Sequence, residues 1–310
     1  MTDFFARLHD VAEKDGINID IEKDVLLSQK TTFKIGGACD AALFPKTLEE
    51  FEWAHETVRK LEIPLFVMGR GSNLLVDDEG FRGAVIFTEG MNTYTREGNT
   101  LVCLAGTSLT PLSRIAAKMG LAGLEFACGI PGSVGGAVIM NAGAYGGEMR
   151  DVVKSCTVLT ENGLIFDVKT KEDTFSYRHS KFQEMGAYVL KAEIELFEDD
   201  PEKILEREEQ LLARRREKQP LEYASAGSAF KRPEGYFAAK LIEDAGLKGY
   251  GVGGACVSEK HSGFVINRGG ATCSDVMSVM KHVREQVKDK TGVVLCPEIR
   301  YLSPEGEKAF

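Results

Sequence analysis

The chain has 310 residues, 43% of them hydrophobic and 27% charged, which suits two folded domains and excludes a disordered or fibrous protein. Lys and Arg number 38 against 47 Asp and Glu, and the net charge of −9 excludes a broad basic face for nonspecific nucleic-acid binding while leaving room for a local cationic pocket. No run approaches ~18 consecutive apolar residues, and Met1-Thr2-Asp3-Phe4-Phe5 lacks the basic head and apolar core of a signal peptide, so no membrane span and a cytoplasmic location are expected.

Residues 1–30 read as a short helical lead-in. Thr47-x-x-Glu50 forms a capping box ahead of a helical stripe of Leu48, Phe51, Ala54, Val58 and Leu61. Leu65–Met68 has strand character and feeds Gly69-Arg70-Gly71-Ser72-Asn73-Leu74-Leu75, a tight glycine turn. Further strands are expected at Ala84–Phe87 and Leu101–Leu104. A helix is expected with Thr110 as cap, Pro111 in its first position and Gly120 past its end. Residues 129–147 hold seven glycines in nineteen positions and read as a long loop. Strands follow at Val152–Leu159, Leu164–Val168 and Tyr188–Phe197, the last with Ala192, Ile194 and Leu196 alternating. Asp199-Asp200-Pro201 opens a helix to about Lys218 with a buried stripe of Ile204, Leu205, Leu211 and Leu212. Its early acids and late bases match the helix dipole, so Arg214–Arg216 read as a solvated end. The last unit carries an amphipathic helix through Val276, Val279, Met280, Val283 and Val287, ended by Gly292, and a closing strand Val293–Leu302. The organisation expected is a lead-in (1–30), a first domain (31–199), a linking helix (200–220) and a C-terminal domain (221–310).

The chemistry concentrates in glycine. Seven cysteines without a C-x-x-C pair read as reduced, packed thiols, and five histidines without metal-binding spacing predict no metal site. Gly69–Leu75 offers several backbone N–H groups in a concave turn, the arrangement that holds phosphate oxygens, but it is neither a Walker loop nor a dinucleotide fingerprint. Glycine costs roughly 0.5–1 kcal/mol against alanine inside a regular element, so the 129–147 cluster needs a reason. The interleaved Ile130, Val134, Val138, Ile139 and Met140 want burial, which disfavours a mobile linker and favours a backbone cradle. Two such cradles suit a ligand with a diphosphate and a long body.

Six motifs in order carry a resemblance: Thr32-Phe-Lys-Ile-Gly-Gly37, Gly69–Leu75, Gly129-Ile-Pro-Gly-Ser-Val-Gly-Gly136 with Asn141-Ala-Gly-Ala-Tyr-Gly146, Ser176-Tyr-Arg-His-Ser180, Ala226-Gly-Ser-Ala-Phe-Lys231 and Pro297-Glu-Ile-Arg300. From about Ser28 to Leu302 the chain resembles the UDP-N-acetylenolpyruvoylglucosamine reductases, also called UDP-N-acetylmuramate dehydrogenases. It is similar to their shorter subtype, which lacks an inserted loop bearing a substrate-covering tyrosine.

The resemblance implies an α+β fold: a vanillyl-alcohol-oxidase-type FAD-binding domain of two α+β subdomains, then a C-terminal α+β substrate-binding domain. It implies FAD and NADPH as cofactors and UDP-N-acetylglucosamine enolpyruvate as substrate, reduced to UDP-N-acetylmuramate for peptidoglycan. A monomer is expected, with no nucleic-acid or membrane partner. Carried over by position, Arg178, Ser228 and Glu298 are the catalytic residues, with Ser228 the proton donor. The FAD contacts expected are Gly69, Arg70, Gly71, Ser72, Asn73, Leu74, Gly129, Ile130, Pro131, Gly132, Ser133, Gly135, Gly136, Asn141 and Gly143. Tyr177, Lys218, Lys231, Arg232 and His261 are expected at the substrate, although some members have asparagine at the position of Arg232.

The chemistry asks for these residue types. Hydride addition to the enol ether leaves negative charge on a carbon that already bears a carboxylate. A fixed cation such as Arg178 spreads that charge, and a proton must reach one face of the carbon. Ser228 can give it only if the charge left behind is stabilised, for which Lys231 and the Gly227 turn are candidates. Glu298 is then either protonated, its pKa raised by desolvation and nearby charge, or a holder of Arg178 or water. No dinucleotide fingerprint offers NADPH a separate site, consistent with the family's alternating use of one pocket. Two other readings remain: an oxidase of the same fold acting on an alcohol or hydroxy acid, and a non-catalytic sugar-nucleotide sensor.

Overall fold

The computed structural model describes residues 4–310, so the first three residues of the lead-in lie outside it. The chain forms two compact units. The first contains residues up to Glu22, Ala42–Arg70 and Val85–Arg215; the second contains Lys23–Ala41, Gly71–Ala84 and Arg216–Phe310.

In the first unit a five-stranded antiparallel sheet runs in the order Ile165–Lys169, Val153–Leu159, Tyr188–Glu195, Thr100–Leu104, Tyr94–Glu97. Its register sets Cys156 opposite Ala192 and Ala192 opposite Cys103, a buried row of small side chains. The alternation read from Ala192, Ile194 and Leu196 is therefore the face turned to the core. Leu109, Leu112 and Ala116 of helix Leu109–Lys118 and Val134, Ala137 and Val138 of helix Val134–Ile139 fill that core. Small residues in the sheet row leave room for the glycine-bearing helix to lie close.

In the second unit the strands Ala224–Ser228, Phe264–Asn267, Ala255–Val257 and Gly251–Val252 form an antiparallel sheet in that order. Helix Cys273–Thr291 buries Val276, Val279, Met280, Val283 and Val287 beside Leu241, Ile242, Phe33 and Ile35. Thr272 and Asp275 cap it reciprocally, and Gly292 ends it at φ +75°. A second sheet has the order Gly306–Lys308, Arg300–Ser303, Leu74–Val76, with the last pair parallel.

The structure corrects several local expectations. The lead-in is a helix, Phe4–Asp15, followed by a strand, Asp20–Leu26. Thr47 caps its helix through Glu50 N, but Glu50 accepts from Lys46 N, so the reciprocal half of the box lies one residue earlier. The next helix begins after Ser108 rather than Thr110, whose hydroxyl instead donates to Ile130 O at 3.1 Å. Segment 129–147 is no continuous loop: it holds helix Val134–Ile139 and a hairpin of Gly143–Ala144 with Gly147–Glu148. The closing strand shortens to Arg300–Ser303: the preceding backbone makes only an isolated antiparallel bridge, Phe230 with Pro297, through Lys231 N to Cys296 O and Glu298 N to Ala229 O. Helix Pro201–Lys218 buries Ile204 and Glu208, with the carboxylate of Glu208 held by Ser113 and by Arg114 Nη1 at 3.2 Å.

Candidate active site

Strand Leu65–Met68 delivers Gly69 and Arg70 into a turn. Arg70 Nη1 donates to Ser108 Oγ at 2.9 Å, and Ser108 forms an isolated bridge with Ser133. Val134 N to Thr107 O and Gly135 N to Ala105 O, both 2.8 Å, and Leu109 N to Gly132 O, 3.0 Å, dock the second glycine segment on residues 105–109. The two segments consequently converge: a Cβ on Gly69 would collide with Ser133 Oγ. On Gly135 a Cβ would stand 2.9 Å from that of Ala105. Ser133 precedes helix Val134–Ile139, yet its hydroxyl caps nothing and is buried without a hydrogen-bond partner. An orphaned hydroxyl facing a side-chain-free glycine is what a polar cofactor group satisfies, so these residues fit the FAD expected of them.

Behind this segment lies a residue the sequence reading set aside. Arg215 packs on Gly129, where a Cβ would lie 2.8 Å from its Cδ and Nη1. Burial makes its guanidinium easier to deprotonate than usual, while Tyr145 and Cys128 act the other way. The Cys128 thiol is pushed up to about 11 by burial, which makes it a poor nucleophile and suits a non-covalently held flavin. Arg214 sets its guanidinium 5.2 Å above the Tyr145 ring. The signal was the spacing of Ile204, Glu208, Leu211 and Arg215, which places Arg215 on the inward face of the helix.

Arg178 occupies the second loop position of the hairpin pairing Phe175–Ser176 with His179–Ser180. Its φ is +54°, a left-handed conformation that glycine or asparagine would ordinarily supply. Its Nη2 donates to Gly143 O at 2.9 Å, and its guanidinium stands 5.2 Å over the half-exposed Tyr177 ring. Asn141 is also left-handed, at φ +41°, and fully buried.

The second unit carries the remaining candidates. A register shift between Ser225 and Ser228, with Gly227 at φ +78°, makes a bulge just before Ser228, which pairs with Phe264. Such bulges re-aim a side chain out of a ladder. Ala229 N donates to Gly263 O at 2.8 Å, and Glu298 N donates to Ala229 O at 2.9 Å, so Glu298 lies beside the residue following Ser228. Asn73 Nδ2 donates to Glu298 O at 3.1 Å and Arg300 N to Asn73 O at 3.0 Å. Gly71 has φ +56°, and Leu74 pairs with Arg300. The structure thus brings Gly71–Leu74, Ser228 and Glu298 together within this unit.

His261 lies in the turn before Phe264, its Nδ1 accepting from Gly263 N at 3.2 Å. Burial holds its pKa below the usual histidine value, favouring the neutral ring. With Phe237, Lys248 and Lys260 it lines a cleft of about 280 Å3. Lys260 Nζ donates to Arg216 O at 2.8 Å, near Lys218 at the end of helix Pro201–Lys218. Lys231 is anchored through its backbone to Cys296 O, and the exposed Arg232 stacks 4.5 Å from the Phe237 ring centre. Among the described residues, no group of three or more His, Cys, Asp or Glu could hold a metal ion.

Residues 39–169 match the model of an FAD-binding domain, and residues 219–302 match that of the C-terminal domain of UDP-N-acetylenolpyruvoylglucosamine reductase. The chain is 48% identical over 282 residues to the UDP-N-acetylenolpyruvoylglucosamine reductase of Caldanaerobacter subterraneus subsp. tengcongensis, covering 91% of this chain and 92% of that protein. It is 45% identical over 305 residues to that of Clostridium novyi, covering 98% of each. The crystal structure of UDP-N-acetylenolpyruvylglucosamine reductase from Thermus caldophilus aligns with a TM-score of 0.79 at 37% identity, over 92% of this chain and 99% of the other. Similarity of this extent, over both units' sequence, shows that the chain belongs to the UDP-N-acetylenolpyruvoylglucosamine reductase family.

Proposed function

We propose that this protein reduces UDP-N-acetylglucosamine enolpyruvate to UDP-N-acetylmuramate with NADPH, a cytoplasmic step in peptidoglycan synthesis. One observation carries the reading: an FAD-binding domain and this reductase's C-terminal domain lie in one chain whose relatives of that name match over nine-tenths of its length. No helix among the described residues is long and apolar enough to cross a membrane. The division into an FAD-binding domain (31–199), a linking helix (200–220) and a substrate-binding domain (221–310) goes with this reading, as does action as a monomer.

FAD, when bound, supplies hydride transfer between the nicotinamide and the enol ether. The chain's own residues do the rest. The Gly69–Leu74 turn, the part of Gly129–Gly136 whose N–H groups are not spent on Ala105, Thr107 and Ala127, and the Ser133 hydroxyl hold the cofactor. Arg178 faces the substrate carboxylate and spreads the charge that develops on the adjacent carbon, its planar fork offering several donors. Ser228 Oγ gives its proton to that carbon, and its place just after a bulge supports a side chain turned out of the ladder. Glu298, fixed by Asn73 and Ala229, keeps the proton supply or a water in place beside it. Lys218, Lys231, Arg232, Tyr177 and His261 recognise the sugar nucleotide, the cations meeting its diphosphate.

The test is product formation. Purified protein loaded with FAD should consume NADPH and the enolpyruvyl sugar nucleotide one for one and yield the lactyl ether by mass spectrometry. Flavin reduction by a hydroxy acid with oxygen uptake would favour an oxidase. Tight sugar-nucleotide binding with no turnover would favour a sensor.

A further inference from the structure

The amide of Asn141 makes contacts that its neighbours in the glycine-rich segment do not. Its Nδ2 donates to Glu148 Oε2 and to Ser176 O, both at 3.0 Å, and its Oδ1 accepts from Arg150 N at 2.9 Å. Both amide protons are used on protein, and the side chain is fully buried. It has no donor left for a ligand.

These bonds converge on Arg178. Ser176 closes one strand of the Arg178 hairpin, while Glu148 closes the neighbouring hairpin that begins at Gly143. Arg178 Nη2 in turn holds Gly143 O. The other strand of the Arg178 hairpin is tied at Ser180, whose Oγ donates to Ile139 O at 2.7 Å. Gly143 cannot carry a side chain there, since a Cβ would lie 2.7 Å from Glu148 Cβ and Gly147 O. Both Asn141 and Arg178 are left-handed without being glycine. Such backbones persist only where their surroundings over-determine them, and they gather at functional sites.

We propose that Asn141 is a positioning residue for Arg178: its amide clamps the 143–148 hairpin to the 175–180 hairpin and so fixes where the guanidinium points. The inference rests on the reading of Arg178 as the group that faces the substrate.

Two substitutions separate amide from backbone. Asn141→Gly tolerates the positive φ and removes only the side chain; Asn141→Asp keeps the shape and the acceptor for Arg150 N but loses both donors. Each is prepared as the FAD-loaded protein and compared with Arg178→Ala. Flavin reduction by NADPH and flavin affinity should stay at the parent level, while reoxidation by the enolpyruvyl sugar nucleotide slows about 10²-fold, the scale of a 1 Å misplacement. Adding Arg178→Ala to Asn141→Gly should cost little more. Trypsin should cut after Arg178 faster in both Asn141 variants, which reads the clamp without turnover. Parent-like reoxidation in Asn141→Gly beside a slow Arg178→Ala overturns the positioning role. Equal loss in both half-reactions together with lost flavin overturns it in favour of general support of the fold. Parent-like reoxidation in Arg178→Ala removes the premise and so identifies the catalytic reading as the part that failed.

Discussion

Arg215 lies against the bare α-carbon of Gly129, so close that a methyl group there would stand 2.8 Å from its Cδ and Nη1. The contact ties the linking helix to the glycine segment that fits FAD. Gly129→Ala should cost about 1–3 kcal/mol by overpacking. In an Arg215→Ala background the same change should cost little, since the obstacle is gone. A double-mutant cycle of urea unfolding measures this coupling, and additive losses would show that the contact carries no strain.

Ser133 gives opposite signs with and without cofactor. Its hydroxyl is buried and unpartnered, so Ser133→Ala should leave the flavin-free protein unchanged or slightly more stable. If FAD satisfies that hydroxyl, affinity should fall about tenfold, equivalent to about 1.4 kcal/mol. Fluorescence titration of flavin and thermal melts of the flavin-free protein read the two effects separately.

His55 sets a pH dependence. It is 2% exposed, its Nδ1 lacks a partner, and burial holds its pKa below the ordinary value of 6.5. The native ring prefers to be neutral, so the unfolded chain binds the extra proton. This contribution is complete above pH 6.5 and is lost as pH falls below it, at no more than about 1.4 kcal/mol per pH unit. His55→Phe preserves a ring against Tyr188, 5.6 Å away in an edge contact, and cannot titrate. Its stability should therefore fall less than the parent's between pH 7.5 and 5.5; equal slopes in chemical denaturation would contradict the assignment.

Ser228→Ala should lower turnover about 10²–10⁴-fold, the usual worth of a positioned acid. Flavin content and the melting temperature should hardly change, because Ser228 lies after a bulge and not in the core. Glu298→Gln distinguishes two roles: near-parent activity supports a protonated carboxyl that donates, and collapse supports an ionised or shuttling one.

Much of the fold was legible because periodicity and caps agreed. Helix Cys273–Thr291 declares itself through valines at 276, 279, 283 and 287 and a glycine at 292. The site was legible only where motifs marked it. Arg215 was hidden because three consecutive arginines at a helix end read as solvated, and only the inward spacing from Ile204 and Glu208 betrayed it. The left-handed backbone of Arg178 has no sequence signature, since the residues favoured at that loop position are glycine and asparagine. Val293–Leu302 looked like a strand by its apolar run, but it makes only a single bridge, Pro297 with Phe230, before Arg300 enters a ladder beside Leu74. Composition does not reveal which partner each carbonyl finds.

The most direct measurement is the visible absorption of the purified, FAD-loaded protein under anaerobic conditions. The flavin band should bleach when NADPH is added and return in full, one equivalent for one, when UDP-N-acetylglucosamine enolpyruvate follows. A band that NADPH leaves untouched, or that stays bleached after the enolpyruvyl substrate arrives, would contradict the account.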